Sequence, residues 1–301
     1  MNKVAVLMST YNGEKYIQEQ LDSLMNQKDV ELKIYIRDDE SKDNTVKIIE
    51  SNYDKLNIKL YKGKNVGPAK SFMELIKKCD KDFDYYAFCD QDDYWKEDKI
   101  ISAINIMKKS GENNIPKVYY SNVDIVDKNL NFMNKGLINE FNTTNTMYMI
   151  KNPCIGCTEI FNKALMEKLK FSENNIIMHD WWILKSCVCL NGIICKDDNS
   201  YIKYRQHENN VVGGKKVRNI FKDFNRYLKS FELITSEAND LLELYNSSLS
   251  EENKANLTEI ANFGKMRLYK KLKTLMSNKY SIGIKRYNIR FSLALLFYRC
   301  K

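Results

Sequence analysis

Proline and histidine are scarce in this chain: three prolines and two histidines in 301 residues. With 44% of the residues hydrophobic, so little proline argues for a folded, globular protein. The length allows one large domain or two smaller ones. Cysteine is present eight times but scattered. The closest pairs, Cys154/Cys157 and Cys187/Cys189, have no matching second half for zinc. A disulfide scaffold does not suit this length, so reduced thiols in a cytoplasmic protein are expected, and Cys154 and Cys157 read as small core residues. No window approaches the roughly 20 apolar residues of a membrane-spanning helix, so the chain is not expected to cross a bilayer. The opening MNKVAVLMST lacks a small-residue cleavage site and reads as a first strand rather than a signal peptide.

Acidic residues are missing altogether after Glu259. Eleven of the 48 basic residues follow that point, leaving 37 against 39 acidic ones in the remainder. A near-neutral body thus carries a cationic tail.

The richest stretch is Tyr85–Trp95, reading YYAFCDQDDYW. Its aromatic apolar run fits a short buried strand, and the strand stops in three carboxylates, Asp90, Asp92 and Asp93. Like charges crowded at one strand end oppose folding unless a cation or ligand neutralises them. Hard oxygen ligands of this kind suit Mg²⁺ or Mn²⁺ beside a phosphate. A solvated acidic turn in which Asp92 or Asp93 caps the next helix explains the residues alone equally well.

Upstream, strands and helices alternate. Val4–Met8 reads as a strand, followed by the turn Ser9–Gly13 and a helix with Tyr16, Ile17, Leu21, Leu24 and Met25 on its apolar face. Leu32–Ile36 is a second strand ending in Arg37-Asp38-Asp39-Glu40-Ser41, and a helix from about Asp43 to Tyr53 follows. Ile58–Tyr61 is a third strand, and Ala69–Cys79 a helix after the turn Lys64–Pro68. Such alternation predicts an α/β fold with a parallel sheet and right-handed crossovers. Acid clusters ending the second and fourth strands would face one crevice, where ligands of open α/β sheets bind.

These segments carry a family resemblance. VAVLMSTYNGEKYIQEQLDSLMNQ, IYIRDDESKDNT, KNVGPAKSF, FCDQDDYWKEDKI, NPCIGCTEIFNKAL, MHDWWILKSC and YRQHENNVVGG occur in the order found in family-2 glycosyltransferases. The chain resembles in particular their bacterial rhamnosyltransferase-like branch, from about Lys3 to Gly214. The likeness favours the metal–diphosphate reading of the acidic stretch. It implies a GT-A type nucleotide-sugar-binding domain with a mainly parallel central sheet over 1–215, in which 1–105 bind the nucleotide sugar and 106–215 form the acceptor half. Residues 216–301 would be a helical, basic C-terminal extension. Thr10, Tyr11 and Glu14 would form the first nucleotide-binding loop, with Tyr11 stacking on the base. Asp39 would read a pyrimidine. Asp90 would contact ribose or metal, Asp92 would ligate Mn²⁺ or Mg²⁺, and Asp180 would be the general base. Asn65 and Gly67 match the nucleotide-sugar turn only loosely and are supporting residues. Glu40 departs from the pattern, standing where the family carries a small glycine.

The chemistry asks for such residues independently. A departing nucleoside diphosphate needs its charge stabilised, and an acceptor hydroxyl needs a carboxylate to take its proton. Single displacement with inversion follows from the likeness alone. Several assignments have structural alternatives: Asp180 could be a helix cap, Trp181 and Trp182 core, Arg205 a phosphate fork or a surface ion-pair partner, and His207 a metal ligand or a loop histidine. Gly213-Gly214 suggests a hinge. Val118–Val126 reads as a strand, and Asn139–Asn152 as a variable loop with acceptor contacts. Val217–Tyr245 and Lys254–Met276 are helical. Phe291–Tyr298 is short and apolar, suited either to packing or, with the basic tail, to the anionic inner face of the plasma membrane. The expected activity is sugar transfer, L-rhamnose from a dTDP donor first and a UDP-hexose or UDP-hexosamine second, to a bacterial surface glycan or its lipid-linked precursor. A nucleotide-binding regulator without turnover, or a nucleic-acid binder, fits the residues less well.

Overall fold

The computed structural model describes the chain except for residues 53, 137–142, 173–175, 208–219, 278–279, 281–284 and 299–301; side chains are also left aside at 220–224 and 285–290. The first half runs β1 (Asn2–Thr10), α1 (Ile17–Met25), β2 (Val30–Asp38), α2 (Thr45–Glu50), β3 (Ile58–Lys62), α3 (Pro68–Lys78) and β4 (Tyr85–Asp90). It continues through β5 (Tyr94–Trp95), α4 (Lys99–Lys109), β6 (Lys117–Val126), β7 (Phe132–Lys135), α5 (Asn145–Ile150), β8 (Ile160–Asn162), α6 (Lys163–Lys168), α7 (His179–Cys189) and β9 (Ile193–Arg205). The chain then turns helical: α8 (Ile220–Tyr245), α9 (Glu251–Asn262), α10 (Leu268–Met276) and α11 (Lys285–Phe297).

Among the described residues one sheet forms, in the order β3-β2-β1-β4-β8-β6-β9-β5, with β7 beside β6. The pairs β1/β2, β2/β3, β1/β4 and β6/β9 are parallel. Short β8 lies antiparallel between β4 and β6. Successive residues of a strand face opposite sides, so Ala5 and Leu7 enter one core while Val4, Val6 and Met8 enter the other. Both faces are covered, as a parallel sheet requires. The second core takes Ile17, Leu21 and Leu24 of α1 and Ile100, Ala103, Ile104 and Met107 of α4.

The first core joins the two parts of the chain. Phe72, Phe88 and Trp182 belong to the same cluster as Phe231, Ile234, Leu241 and Tyr245 of α8, Leu257 and Ile260 of α9, and Phe291 and Leu295 of α11. Polar ties reinforce it: the Lys170 amide donates to the Tyr245 hydroxyl at 2.9 Å, and Asn253 Nδ2 donates to the Val188 carbonyl at 2.9 Å. The boundary expected at 215/216, like the Gly213-Gly214 hinge, lies outside the described residues.

Three local expectations change. The stretch Asn139–Asn152, expected as a loop, contains α5; Met147, Tyr148, Met149 and Ile150 bury there, and Thr144 Oγ1 accepts from the Met147 amide at 3.1 Å. No helix starts directly after the acid cluster: β5 intervenes, and α4 begins at Lys99 with Asp98 in the N-cap position. Within Phe291–Tyr298, Phe291, Ala294, Leu295 and Tyr298 are buried against the body, and Leu293 and Phe297 are exposed.

Candidate active site

Strand register gathers the expected residues at one edge. Ser9 stands opposite Asp90, and Thr10 opposite Asp38, so β1, β2 and β4 end level with one another. The loop after β1 is held by the side chain of Gln91, whose Oε1 accepts from the Tyr11 amide at 2.9 Å while its Nε2 donates to the Tyr11 carbonyl at 3.0 Å. That pairing explains Gly13, where an added Cβ would stand 2.2 Å from Gln91 Oε1. The Tyr11 ring projects from this loop with 48% of the residue exposed. Thr10 Oγ1 donates to Asp38 Oδ1 at 3.0 Å, and Glu14 Oε2 accepts from the Asn44 amide and side chain at 2.9 and 3.0 Å. Thr10 and Glu14 thus build the rim of the loop.

Asp39 is buried and spoken for. Its Oδ1 accepts from the Val66 amide at 2.9 Å and from Arg37, and its Oδ2 from the Gly67 amide at 2.8 Å. The carboxylate therefore holds the entrance of α3, where Gly67 adopts φ 81° directly before Pro68. The neighbouring departure, Glu40, sits at φ +73°, a left-handed conformation that glycine adopts without Cβ strain. Glu40→Gly is expected to raise the unfolding midpoint in a thermal melt; an unchanged or lower midpoint would mean that the bonds Glu40 makes to Asn65 and Lys42 outweigh the strain.

The acid cluster is not a solvated cap. Asp93 is fully buried; Oδ1 accepts from the Arg205 amide at 3.1 Å, the Cys157 thiol lies beside the carboxyl, and among the described residues Oδ2 makes no well-formed hydrogen bond. Burial, then Asp92 and Asp90, push the Asp93 carboxyl well above its ordinary range. Asp90 rises to about 7 through burial first, then through Asp92 and Asp180. Asp92 Oδ2 lies 2.7 Å from His207 Nε2, and the His207 ring stacks on Tyr16 with centroids 5.0 Å apart. Arg205 is buried beneath the loop. Its guanidinium donates to the Asp92 carbonyl at 2.7 Å, the Lys128 carbonyl at 2.5 Å and Glu19 Oε2 at 2.5 Å, and lies over the Tyr16 ring. In this arrangement it straps the acidic loop to α1 and to the turn after β6. Of the two alternatives expected for it, the ion pair is the one present: Arg205 itself is buried and its partner Glu19 is half-exposed.

Ligand atoms of Asp90, Asp93 and Cys157 lie within 4.8 Å of one another. The thiol belongs to the core all the same: burial, then Asp93, push Cys157 well above its ordinary range, and a protonated thiol is a poor metal ligand.

Asp180 arrives from the other half of the chain. It is the second residue of α7, whose N-cap is Met178, so it is not the cap. Its Oδ2 accepts from Asn152 Nδ2 at 3.0 Å and its Oδ1 from the Trp181 amide at 2.8 Å. Burial raises its carboxyl to about 6, partly offset by those two bonds. Gly156 permits the close approach: a Cβ there would stand 3.2 Å from Asp180 Oδ2 and 3.3 Å from His179 Nε2. Trp181 and Trp182 are core, their indole N–H groups donating to the carbonyls of Tyr148 (2.6 Å) and Lys170 (3.0 Å). His179 is buried between Phe72 and Phe88, which holds it neutral at a pKa of about 3.

The comparisons with known proteins decide the family. The model described as Glycosyl transferase family 2 matches residues 5–170, more than half of the chain. The chain belongs to glycosyltransferase family 2. The dTDP-rhamnosyl transferase RfbG of Shigella flexneri is 38% identical over 219 residues, covering 68% of this chain and 73% of that protein. The UDP-Glc:alpha-D-GlcNAc-diphosphoundecaprenol beta-1,3-glucosyltransferase WfgD of Escherichia coli is 28% identical over 233 residues, 74% of this chain and 83% of its own. Among solved structures, S. aureus TarS 1–349 in complex with UDP-GlcNAc superposes with TM-score 0.60 at 20% identity, over 96% of this chain and 90% of that one. The mannosyltransferase PcManGT from Pyrobaculum calidifontis, in complex with GDP-Man and Mn²⁺, gives 0.52 at 15%, over 98% and 87%. The fold is GT-A, and this family-2 member is a glycosyltransferase.

Several residues that build the candidate site had no sequence signal strong enough to single them out. Asp93 read as one more acid of a run, although its burial makes it the anchor of β9. Gln91 read only as the residue between Asp90 and Asp92, and Asn152 only as the end of a variable loop with acceptor contacts. Spacing alone does not say which amide will face which carboxylate.

Proposed function

We propose that this glycosyltransferase moves L-rhamnose from a dTDP donor, with inversion, to a hydroxyl of a bacterial surface glycan or its lipid-linked precursor. The observation carrying the donor is the 38% identity to a dTDP-rhamnosyl transferase over most of both chains. The runner-up donor, a UDP-hexose or UDP-hexosamine, is favoured by the likeness to the E. coli UDP-Glc enzyme. Tyr11 offers an open ring on which the base stacks. Thr10 and Glu14 shape that loop, and Asp39 keeps the α3 entrance in place beside the pyrimidine. Asp180 takes the proton of the attacking hydroxyl, because a carboxyl raised to about 6 is ionised near neutrality and is closer to the pKa an efficient base needs.

The acid cluster fits a divalent cation. Among the described residues Asp93 Oδ2 is buried without a well-formed hydrogen bond, Asp90 is raised by burial and then by its neighbours, and the donors are hard oxygens. Asp90 and Asp92, with His207 beside Asp92, would hold Mn²⁺ or Mg²⁺. Such an ion supplies Lewis-acid stabilisation of the departing diphosphate. Arg205 keeps the loop that carries these residues in place. The expected workplace is the cytoplasmic face of the plasma membrane, where a lipid-linked acceptor presents its sugar.

The test is a donor panel. Thermal-shift and turnover measurements with dTDP-L-rhamnose, UDP-glucose and UDP-N-acetylglucosamine, with and without Mn²⁺, should give the largest stabilisation and the only efficient transfer with dTDP-L-rhamnose plus Mn²⁺. A UDP-sugar preference would move the assignment to the runner-up; no response to any nucleotide sugar would sink both.

A further inference from the structure

The four C-terminal helices differ in how they meet the body. Among the described residues α8, α9 and the end of α11 bury apolar side chains, whereas α10 turns chiefly Lys271 inward. Lys271 Nζ donates to the Tyr298 carbonyl and lies 5.5 Å from the centroid of the Phe263 ring. With Lys271 on the inner side, the helical period places Tyr269, Leu272, Lys273 and Met276 on the outer side. Exposure agrees: Leu268 is 61% exposed, Tyr269 60%, Leu272 41% and Met276 80%. Lys265, Arg267, Lys270 and Lys273 surround them and are exposed as well. Among the described residues none of these four cations lies within salt-bridge distance of a carboxylate, and no acid follows Glu259 to neutralise them. At the head of the helix, Asn262, Lys265, Met266, Arg267, Tyr269 and Lys270 line an open cleft of about 580 Å³ without a single carboxylate.

Apolar side chains this exposed, ringed by unpaired cations, suit an interface that is oily inside and anionic at its surface. We propose that α10 lies flat on an anionic lipid surface, with Leu268, Tyr269, Leu272 and Met276 entering the headgroup–acyl boundary and Lys265, Arg267, Lys270 and Lys273 meeting lipid phosphates. The inference rests on the membrane-face reading above and narrows it to one helix. It moves the lipid contact away from Phe291–Tyr298, whose buried residues serve the core.

Co-sedimentation of the full chain with vesicles tests this. Wild type should bind phosphatidylglycerol/phosphatidylcholine vesicles and not phosphatidylcholine alone. Lys270→Gln with Lys273→Gln should weaken that binding roughly 30-fold, each charge contributing about a factor of five near the surface. Leu272→Ser with Met276→Ser should weaken it without changing the salt dependence. All four positions are exposed, so both variants should keep wild-type melting and wild-type transfer to a soluble acceptor. Equal vesicle binding by wild type and variants would overturn the proposal. So would full displacement by inorganic phosphate, which would mark a free-anion site, or a dimer that Leu272→Ser/Met276→Ser dissociates, which would mark a second copy as the occupant. Vesicle binding without transfer to any acceptor would sink the catalytic reading and leave this one standing.

Discussion

Replacing Asp180 by asparagine is expected to lower transfer on the order of 10²–10⁴-fold while donor binding stays near wild type. The substitution keeps the shape and removes the charge and the ability to accept a proton; the single amide oxygen can serve Asn152 or the Trp181 amide, not both. Asn152 Nδ2 can still find an amide oxygen at the position of Asp180 Oδ2. The pH dependence supplies a second readout. Burial raises the Asp180 carboxyl to about 6, and only the ionised form acts as base. Wild-type turnover should therefore fall as pH drops through about 6, and the residual activity of the variant should lose the part of that limb that Asp180 contributes. Turnover and donor affinity measured from pH 5 to 8 decide it. Asp90, raised to about 7, titrates in the same window, so the profiles are compared rather than read singly: near-wild-type turnover, or variant and wild-type profiles of identical shape, would transfer the role to another group.

The second large effect concerns Glu237, in α8, far along the chain from the acids of the site. Its Oε2 accepts from Lys185 Nζ of α7 at 2.5 Å and its Oε1 from the Ile177 amide at 2.6 Å, and both side chains of the ion pair are buried. Lys185 also lies 3.5 Å from the centroid of the Trp181 ring. Burial lowers the Lys185 ammonium and Glu237 opposes that drop, so removing the carboxylate strands a cation in the core. Glu237→Ala is expected to cost about 3–5 kcal/mol of unfolding free energy. Replacing both partners by apolar residues, Lys185→Met with Glu237→Leu, should recover most of it, because the penalty lies in the unpaired charge rather than in the loss of attraction. Urea unfolding of the two variants separates these outcomes. A single-variant loss below about 1 kcal/mol, the scale of a surface pair, would show that water reaches the site. Because Glu237 also holds Ile177, three residues before Asp180, the single variant should lose transfer more than donor binding.

The first 110 residues were legible because their signals are local. The unbroken apolar run of β1, the apolar stripe of α1, and Gly67-Pro68 before α3 each specify an element within ten residues. The level ends of β1, β2 and β4 then follow from parallel pairing, which brings the two acidic segments to one edge. Beyond that, contacts decide. β8 is three residues long and antiparallel, with no alternation to show it; it exists because β4 and β6 both need a partner. The stretch holding α5 reads as polar loop until Met147–Ile150 find the core. Arg205 was open between phosphate and surface because nothing in YRQH indicates that Glu19, 186 residues upstream, closes over it. Glu237 resembles any charged residue of a long helix.

The shared core has a consequence for how the protein is made. Phe72, Phe88 and Trp182 line a face of the sheet that is completed by Phe231, Leu241, Leu257 and Phe291, so that face stays open until α11 has been translated. The opposite face needs only residues up to about the end of β9 and can close while the ribosome is still at work. For the time between, a nascent chain exposes aromatic surface with nothing to cover it, the condition under which aggregation competes with folding. Premature termination after β9 would leave this surface permanently bare. A fragment carrying every acid of the candidate site would then be expected to survive only with a chaperone's help.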